Sequence, residues 1–346
     1  MRNKKIIKKG YVFINNKGNN MNKKIKEVPI FTATDDNYIP FLAVTLQSML
    51  DNSSKNYHYS VKVLNSGISE ENIAKIKKFE RDNLKVEFVD VRKPLEELNS
   101  RLHTCIYYTQ ATYYRLFIPS MYPQYDKALY IDCDIVIRAD IAKLYNINIG
   151  NKLVGATTDE FVMNYPSIQP YFTQCLGLNK VSDYFNAGVL IMNLKQMREQ
   201  KFEETFVDLL GKYKFVVQDQ DYLNVICKDK VHYISGMWDK MPCVEDVDVS
   251  KINLIHYNLI WKPHKADIPY GDEFWKYADK TEYAQEIHKM RKNYTAEKYQ
   301  QEVDNFHMFM GKIIEEIDNP NNYYNMYVKS EEDDAEGFAL AEVARA

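Results

Sequence analysis

The stretch YIDCDIVI, residues 130–137, places two carboxylates inside an apolar run rich in β-branched residues. Such a run predicts a buried strand, in which side chains at positions i and i+2 point to the same face. Asp132 and Asp134 are therefore expected to project together. Their oxygens are hard ligands that suit Mg²⁺ or Mn²⁺, and such an ion can bridge a diphosphate. The alternative is a pair of acids that cap a turn at the edge of the sheet.

Strand and helix patterns alternate on both sides of this stretch. Apolar runs at 28–33, 59–67, 85–91, 127–137, 153–158 and 188–194 predict strands. Helical spacing predicts helices over 39–50, 69–83, 112–119, 195–213 and 219–228. This order predicts an α/β fold with a mixed, mostly parallel sheet flanked by helices, and a ligand site at the carboxyl ends of the strands.

Composition excludes several classes of protein. The chain has 346 residues with 45 Lys and Arg against 48 Asp and Glu, a formal charge of −3, which argues against a protein that coats nucleic acid. Five Cys occur without a C-x-x-C pair, so neither a disulfide framework nor a structural zinc site is indicated. No apolar window has the length of a membrane span, and we expect a cytoplasmic protein.

The two ends differ sharply in charge. Residues 1–26 carry nine Lys or Arg and no acid, whereas 331–346 carry six acids and one Arg. We expect a basic N-terminal arm (1–27), a catalytic domain (28–273), a C-terminal helical appendage (274–328) and an acidic tail (329–346). The arm is either a solvated leader or a point of peripheral contact with an anionic membrane. Translation could begin at Met1 or at Met21.

Three further segments carry polar residues of interest. In FTATDDNYIP (31–40), Asp35 and Asn37 suit hydrogen bonds to a base or ribose, or equally a helix-capping turn. FNAGVLIMNL (185–194) puts Asn186 before an apolar strand, where Gly188 allows close approach of the backbone to a ligand. HYNLIWKPH (256–264) offers an imidazole and a cation.

The Asp-x-Asp-x-Val pattern at 132–136 also resembles the nucleophile strand of haloacid-dehalogenase-type phosphatases. Those enzymes usually begin with that strand, whereas about 125 residues of α/β sequence precede it here. This alternative would make the chain a Mg²⁺-dependent phosphatase.

Seven segments, in this order, resemble glycosyltransferase family 8, whose members include lipopolysaccharide galactosyltransferases and glucosyltransferases and glycogenin. They are FTATDDNY, TYYRLFIP, YIDCDIVI, GATTD, FNAGVLIMNL, QDQDYLN and HYNLIWKPH. The resemblance implies a GT-A fold (a Rossmann-like nucleotide-diphospho-sugar transferase fold), a retaining mechanism and a UDP-glucose or UDP-galactose donor. It also implies Mn²⁺, with Mg²⁺ as a substitute, and a carbohydrate acceptor that is lipid-linked, polysaccharide or protein-linked.

The resemblance implies roles for individual residues. Asp132, Asp134 and His256 would bind the metal. The donor's nucleotide and phosphates would contact Ala33, Thr34, Asp35, Asn37, Arg115, Asp132, Cys133 and Lys262. The catalytic set would be Asp159, Asn186, Asp219 and Gln220. This chain departs from the family at Leu259, where many members have Gly, and at His264, where they have Trp.

Retention of configuration requires either front-face attack or a covalent intermediate. An amide such as Gln220 is a poor nucleophile, so we expect front-face attack, in which the leaving phosphate helps to deprotonate the acceptor. A glycosyl adduct on Asp219, Gln220 or Asp221 would contradict this. The alternative to an enzyme is a nucleotide-sugar binder or scaffold that does not catalyse transfer.

Overall fold

The computed structural model describes residues 26–106, 109–244 and 246–329. The predicted basic arm and acidic tail lie almost wholly outside these residues. The strands of the described part are β1 (Lys26–Ala33), β2 (Tyr57–Asn65), β3 (Leu84–Asp90), β4 (Ala128–Ile131), β5 (Ile135–Ile137), β6 (Val154–Ala156), β7 (Val189–Met192), β8 (Val231–Tyr233) and β9 (Leu254–His256). The α-helices are α1 (Ile39–Asn52), α2 (Glu70–Lys77), α3 (Glu96–Asn99), α4 (Ile118–Met121), α5 (Ile141–Tyr145), α6 (Glu160–Asn164), α7 (Leu194–Glu199), α8 (Phe202–Lys212), α9 (Gln218–Ile226), α10 (Gly271–Ala278), α11 (Ala284–Lys292) and α12 (Ala296–Ile317).

The strands form one large mixed sheet and one small sheet. The large sheet has the order β3-β2-β1-β4-β7-β6-β8, in which β7 runs antiparallel to both β4 and β6 and the other pairs are parallel. The small sheet is the antiparallel pair β5-β9. The α/β class with a mixed sheet between helices is therefore confirmed.

Side chains that alternate along the strands fill two buried layers, one on each face of the large sheet. Phe31 and Tyr130 pack into one layer, and their neighbours Ile30 and Leu129 into the other. This period of two is what a central strand covered on both faces requires. The aromatic-rich layer that contains Tyr130 also holds many of the chain's buried Tyr and Phe side chains.

The predicted single strand over 127–137 is wrong. The chain leaves the large sheet after Ile131 and joins the small sheet at Ile135, so Asp132 and Asp134 lie in the break between β4 and β5. Thr45 of α1 supports the break, because its hydroxyl oxygen lies 2.6 Å from the Cys133 carbonyl oxygen and 2.7 Å from that of Ile135. The two carboxylates thus converge through a sharp bend and not through the pleat of a strand.

Three predicted helices also differ, the first of which, expected over 69–83, ends at Lys77. Over 112–119 we expected a helix that ends at Pro119, but a 3₁₀ helix, Gln110–Phe117, precedes α4, and Pro119 lies in the first turn of α4. Proline is tolerated there because the first N–H groups of a helix have no partner within it. The helix expected over 195–213 is two helices, α7 and α8, separated at Lys201, whose φ of 55° is left-handed.

The C-terminal helices pack against the body of the protein. α10 crosses the domain boundary expected at 273/274, and its Phe274 and Tyr277 belong to the same buried layer as α1. α12 contributes Phe306, Phe309 and Ile313 to the opposite layer. Within the described ranges, no helix combines the length and the apolar composition that a membrane crossing requires.

Candidate active site

The break between β4 and β5 brings three candidate metal ligands together, two carboxylates and an imidazole. β9 pairs with β5 so that His256 stands opposite Ile135. Its Nε2 lies 3.3 Å from Asp134 Oδ1 and 3.7 Å from Asp132 Oδ2. Ligand atoms of Asp132, Asp134 and His256 all lie within 4.8 Å of one another, which makes this triad a candidate metal site.

A carboxylate fixes the His256 ring from behind. Asp239 Oδ1 lies 2.9 Å from His256 Nδ1, and Asp239 Oδ2 accepts a hydrogen bond from the Thr157 hydroxyl at 3.1 Å. Metal-binding histidines commonly donate their second ring N–H to a carboxylate, which leaves the other nitrogen free to face the metal. Asp239 is not among the residues predicted from the sequence, because its position 17 residues before His256 carries no motif.

Gly188 leaves the space that the triad occupies. A Cβ at this position would collide with His256 Cε1 and would lie 2.8 Å from Asp132 Oδ2. The Gly188 carbonyl also accepts the Asp132 N–H at 2.8 Å. Close approach of the backbone, expected from the sequence, therefore serves the metal-ligating side chains. A cradle with mixed carboxylate and imidazole donors fits Mn²⁺ or Mg²⁺.

Two buried cations flank the carboxylates. The Lys262 ammonium is hydrogen-bonded to Asp134 Oδ2 and donates to the Tyr257 carbonyl at 2.6 Å. Arg115 lies 3.3 Å from Asp132 Oδ1 and stacks over the Tyr130 ring at 4.3 Å. Buried charges are tolerated when they are paired in this way.

The surroundings shift the pKa of each titratable group in the triad. Burial raises the pKa of Asp132, opposed by Arg115. Burial would also raise the pKa of Asp134, but the Lys262 ammonium and the His256 ring outweigh it and hold that pKa well below its usual range. For His256, burial lowers the pKa, but Asp239 and Asp134 raise it to about 10. A metal ion would compete with these protons.

A hydrogen-bonded network lies next to the triad. Asp159 Oδ2 accepts from the Asn186 amide and from the Gln220 amide, each at 3.0 Å. Gln220 Oε1 accepts the Ala187 N–H at 2.9 Å. Both ends of the Gln220 amide are therefore engaged, and burial raises the pKa of Asp159. Asp159 lines a small cavity behind the cleft, whereas Asn186 and Gln220 line both.

The two acids on either side of Gln220 differ in role. Asp219 lines the cleft and lies 3.0 Å from Arg115 Nε, and burial, opposed by Arg115, raises its pKa to about 6. Asp221 is fully buried and accepts from the Tyr171 and Tyr184 hydroxyls at 2.6 and 2.7 Å. Burial raises the pKa of Asp221 to about 7. Asp221 thus lies in the packed interior and does not line the cleft.

Only some of the donor-binding residues predicted at the end of β1 and in the loop after it reach the cleft. Ala33, Thr34 and Asp35 line the cleft, as does Cys133. Asp35 Oδ1 also caps the following 3₁₀ helix through the N–H groups of Asn37 and Tyr38. Asn37 is exposed and is not among the lining residues, so the structure does not bring it together with the others.

The loop after β9 carries both departures from the family pattern. Leu259 has a left-handed backbone, with a φ of 48°, which is unfavourable for a residue with a Cβ. Its side chain lines the cleft and packs against the aromatic-rich layer. The His264 ring packs on Phe41, with centroids 4.5 Å apart, and burial, with Lys262 nearby, lowers its pKa to about 3.

The candidate metal ligands, Arg115 and Lys262 line one cleft with a volume of about 350 Å³. Its walls include the loop after β1, the β4–β5 break, the start of β7 and the loop after β9. Glu302 and Asn305 of α12 complete the lining. The last two residues carried no sequence signal.

A family model described as glycosyl transferase family 8 matches residues 29–267. The chain belongs to this family. Among curated relatives of this family 8 glycosyltransferase, a putative glycosyltransferase of Haemophilus influenzae is 31% identical over 229 residues, which cover 65% of this chain and 67% of the relative. A lipopolysaccharide 1,2-glucosyltransferase of Escherichia coli is 24% identical, and the match covers 70% of this chain and 75% of the relative.

Solved structures resemble the family 8 fold described above. The galactosyltransferase LgtC, in complex with donor and acceptor sugar analogs, is 25% identical with a TM-score of 0.60, covering 74% of this chain and 96% of that chain. The apo bifunctional glycosyltransferase WbbM is 25% identical with a TM-score of 0.68, covering 77% of this chain and 52% of its own. The predicted family and GT-A fold are thus confirmed, and the phosphatase alternative is set aside.

Proposed function

We propose that this chain transfers a hexose, glucose or galactose, from a UDP-sugar to a hydroxyl of a carbohydrate acceptor, with retention of configuration. One observation carries the proposal: Asp132, Asp134 and His256 converge within 4.8 Å in the cleft, with two buried cations beside them. A divalent ion held by the two carboxylates and the imidazole would supply the positive charge that a diphosphate requires, and the two cations would add to it.

Mn²⁺, with Mg²⁺ as a substitute, would be held by the three triad residues and would supply Lewis-acid stabilisation of the diphosphate. As the sugar–phosphate bond breaks, negative charge grows on the UDP oxygen. Lys262 stabilises that charge, and Arg115 contacts the donor from the other side of the carboxylates. Ala33, Thr34, Asp35 and the Cys133 backbone bind the uridine end.

Asn186, Asp219 and Gln220 would line the transferred sugar. The bonds that Gln220 makes at both ends of its amide support a positioning role for this residue. Asp219 is neutralised by Arg115, and Asp221 is enclosed by two tyrosines. These contacts support front-face attack, in which the leaving phosphate accepts the proton of the acceptor hydroxyl.

The experiment is UDP release from UDP-glucose and UDP-galactose with Mn²⁺, repeated with a chelator and with candidate acceptors. Asp132→Asn and Asp134→Asn should abolish metal-dependent release, because each removes a charged ligand. Asp126→Asn, at a side chain that is 82% exposed, is the matched control. Release that persists with chelator, or in both variants, would contradict the proposal. Binding of UDP-sugar without any release would favour a non-catalytic binder.

A further inference from the structure

α12 lies outside the family match yet packs against the catalytic centre. Its Phe306 ring lies 5.9 Å from that of Phe161 and 5.7 Å from that of Tyr165. One and two turns further on, Phe309 and Ile313 line the small cavity that Asp159 and Gln220 also line. The helix is therefore fixed in place beside the residues expected to hold the transferred sugar.

The same helix carries polar side chains into the cleft. Glu302 and Asn305 are three residues apart, so they share one face of α12, and both line the cleft with the catalytic residues. Lys265, from the loop after β9, pairs with Glu302 at 2.7 Å. The side chains of Lys265 and Glu302 are 22% and 24% exposed, so both remain within reach of a ligand.

An unpaired acceptor lies on the neighbouring loop. Asn258 Oδ1 is buried and has no hydrogen-bond partner among the described residues, while its amide contacts the Met241 sulfur at 3.5 Å. Asn258 lines both the cleft and the cavity behind it. An unpaired buried oxygen costs about 1–3 kcal/mol, which a ligand hydroxyl at this point would offset.

The part of the cleft formed by Glu302, Asn305, Lys265 and Asn258 (the α12 rim) has chemistry that fits an acceptor sugar better than the donor. The Glu302 carboxylate would repel a diphosphate, whereas a carboxylate, an amide and an ammonium together offer the donors and acceptors that sugar hydroxyls require. The family match ends at residue 267, so Glu302 and Asn305 of the α12 rim belong to the part of the chain that the family model does not cover.

We propose that Glu302 and Asn305 of α12, with Lys265 and Asn258 beside them, bind hydroxyl groups of a neutral carbohydrate acceptor. This inference rests on the glycosyltransferase function proposed above. In this proposal α12 forms one wall of the active site and is not a separate appendage.

The test is a KM comparison for donor and acceptor. The probes are p-nitrophenyl glycosides of glucose, galactose and lactose, with the UDP-sugar and metal that give UDP release. Glu302→Gln and Asn305→Ala should each raise the acceptor KM about three- to tenfold, as expected for the loss of one hydrogen bond, without a parallel rise in the donor KM. Glu315→Gln, at an exposed position on the same helix, is the matched control and should leave both KM values unchanged.

Three outcomes would overturn the inference: an unchanged acceptor KM in both variants, a parallel rise in the donor KM, or wild-type protein that releases UDP but transfers to none of these sugars. Wild-type protein that releases no UDP from any UDP-sugar would instead contradict the proposed function, and the inference with it. Circular dichroism of each variant separates loss of binding from loss of the fold.

Discussion

Asp239 Oδ1 lies 2.9 Å from His256 Nδ1, so a buried carboxylate orients the imidazole of the candidate metal site. The contact joins the 3₁₀ segment after β8 to the small sheet. It also explains why His256 can present Nε2 to the two aspartates.

Asp239→Ala should weaken Mn²⁺ binding about 10–100-fold, because the ring loses the partner that fixes its orientation. Asp239→Asn should weaken it less, since the amide oxygen can still accept from Nδ1. Mn²⁺ binding to the nucleotide-free protein is measured by electron paramagnetic resonance. Asp248→Ala, which removes the cap of an exposed 3₁₀ helix, serves as the control. Equal affinity in wild type and Asp239→Ala would argue against the positioning role.

Gly188→Ala should abolish metal binding and UDP release. The added Cβ would occupy the space of His256 Cε1 and crowd Asp132 Oδ2, so the imidazole must move away from the aspartates. Gly236→Ala is the matched control, because a Cβ there meets no atom within 4 Å. Titration with Mn²⁺ and the UDP-release assay are compared for the two variants. Normal Mn²⁺ binding by Gly188→Ala would contradict this prediction, because it would show that His256 and Asp132 can move to accommodate the added Cβ.

Leu259 permits a test of backbone strain in the loop that lines the cleft. Leu259→Gly and Leu259→Ala both remove the side chain, but only glycine adopts a φ near 48° at no steric cost. Leu259→Gly should therefore be more stable than Leu259→Ala by about 1 kcal/mol in free energy of unfolding. Urea denaturation of both variants gives this difference, and equal stabilities would mean that the loop relaxes when the side chain is cut back.

Asp221 predicts a pH dependence of stability. Burial raises its pKa to about 7 in the folded chain, so between about pH 4 and pH 7 the folded state holds a proton that the unfolded state has lost. The free energy of unfolding of wild type should therefore fall through this group as pH rises, by about 2–3 kcal/mol. Asp221→Asn cannot ionise, so its stability relative to wild type should improve from pH 5 to pH 8. A stability difference that does not change with pH would refute this assignment.

Much of the fold follows from patterns that the sequence displays directly. The apolar runs of β1, β2 and β3 and the helical spacing of α1 predicted those elements within two residues, because each element is buried along its length. The bend between β4 and β5 did not follow, since nothing local distinguishes a strand interrupted by two acids from two strands in different sheets. Thr45, 88 residues from Cys133, supports that bend.

The residues of the candidate site also divide into those that the sequence predicts and those that it does not. Asp132, Asp134, His256 and Lys262 were predicted through segments that resemble a known family, and the structure brings their side chains together. Asp239 and Glu302 were missed because their positions depend on packing between distant elements. Asp35 shows the opposite case, in which a capping role and a place in the cleft coexist in one side chain.

The chain changes sheets between Asp132 and Asp134, and this has a consequence for how the molecule unfolds. Asp132 follows the end of a strand in the seven-stranded sheet, and His256 belongs to the two-stranded sheet. A divalent ion bound by both residues would connect the two sheets. Such an ion would act as a removable crosslink between the two sheets. Binding of metal and donor would then raise the free energy of unfolding of the catalytic domain, in addition to supporting the chemistry in its cleft.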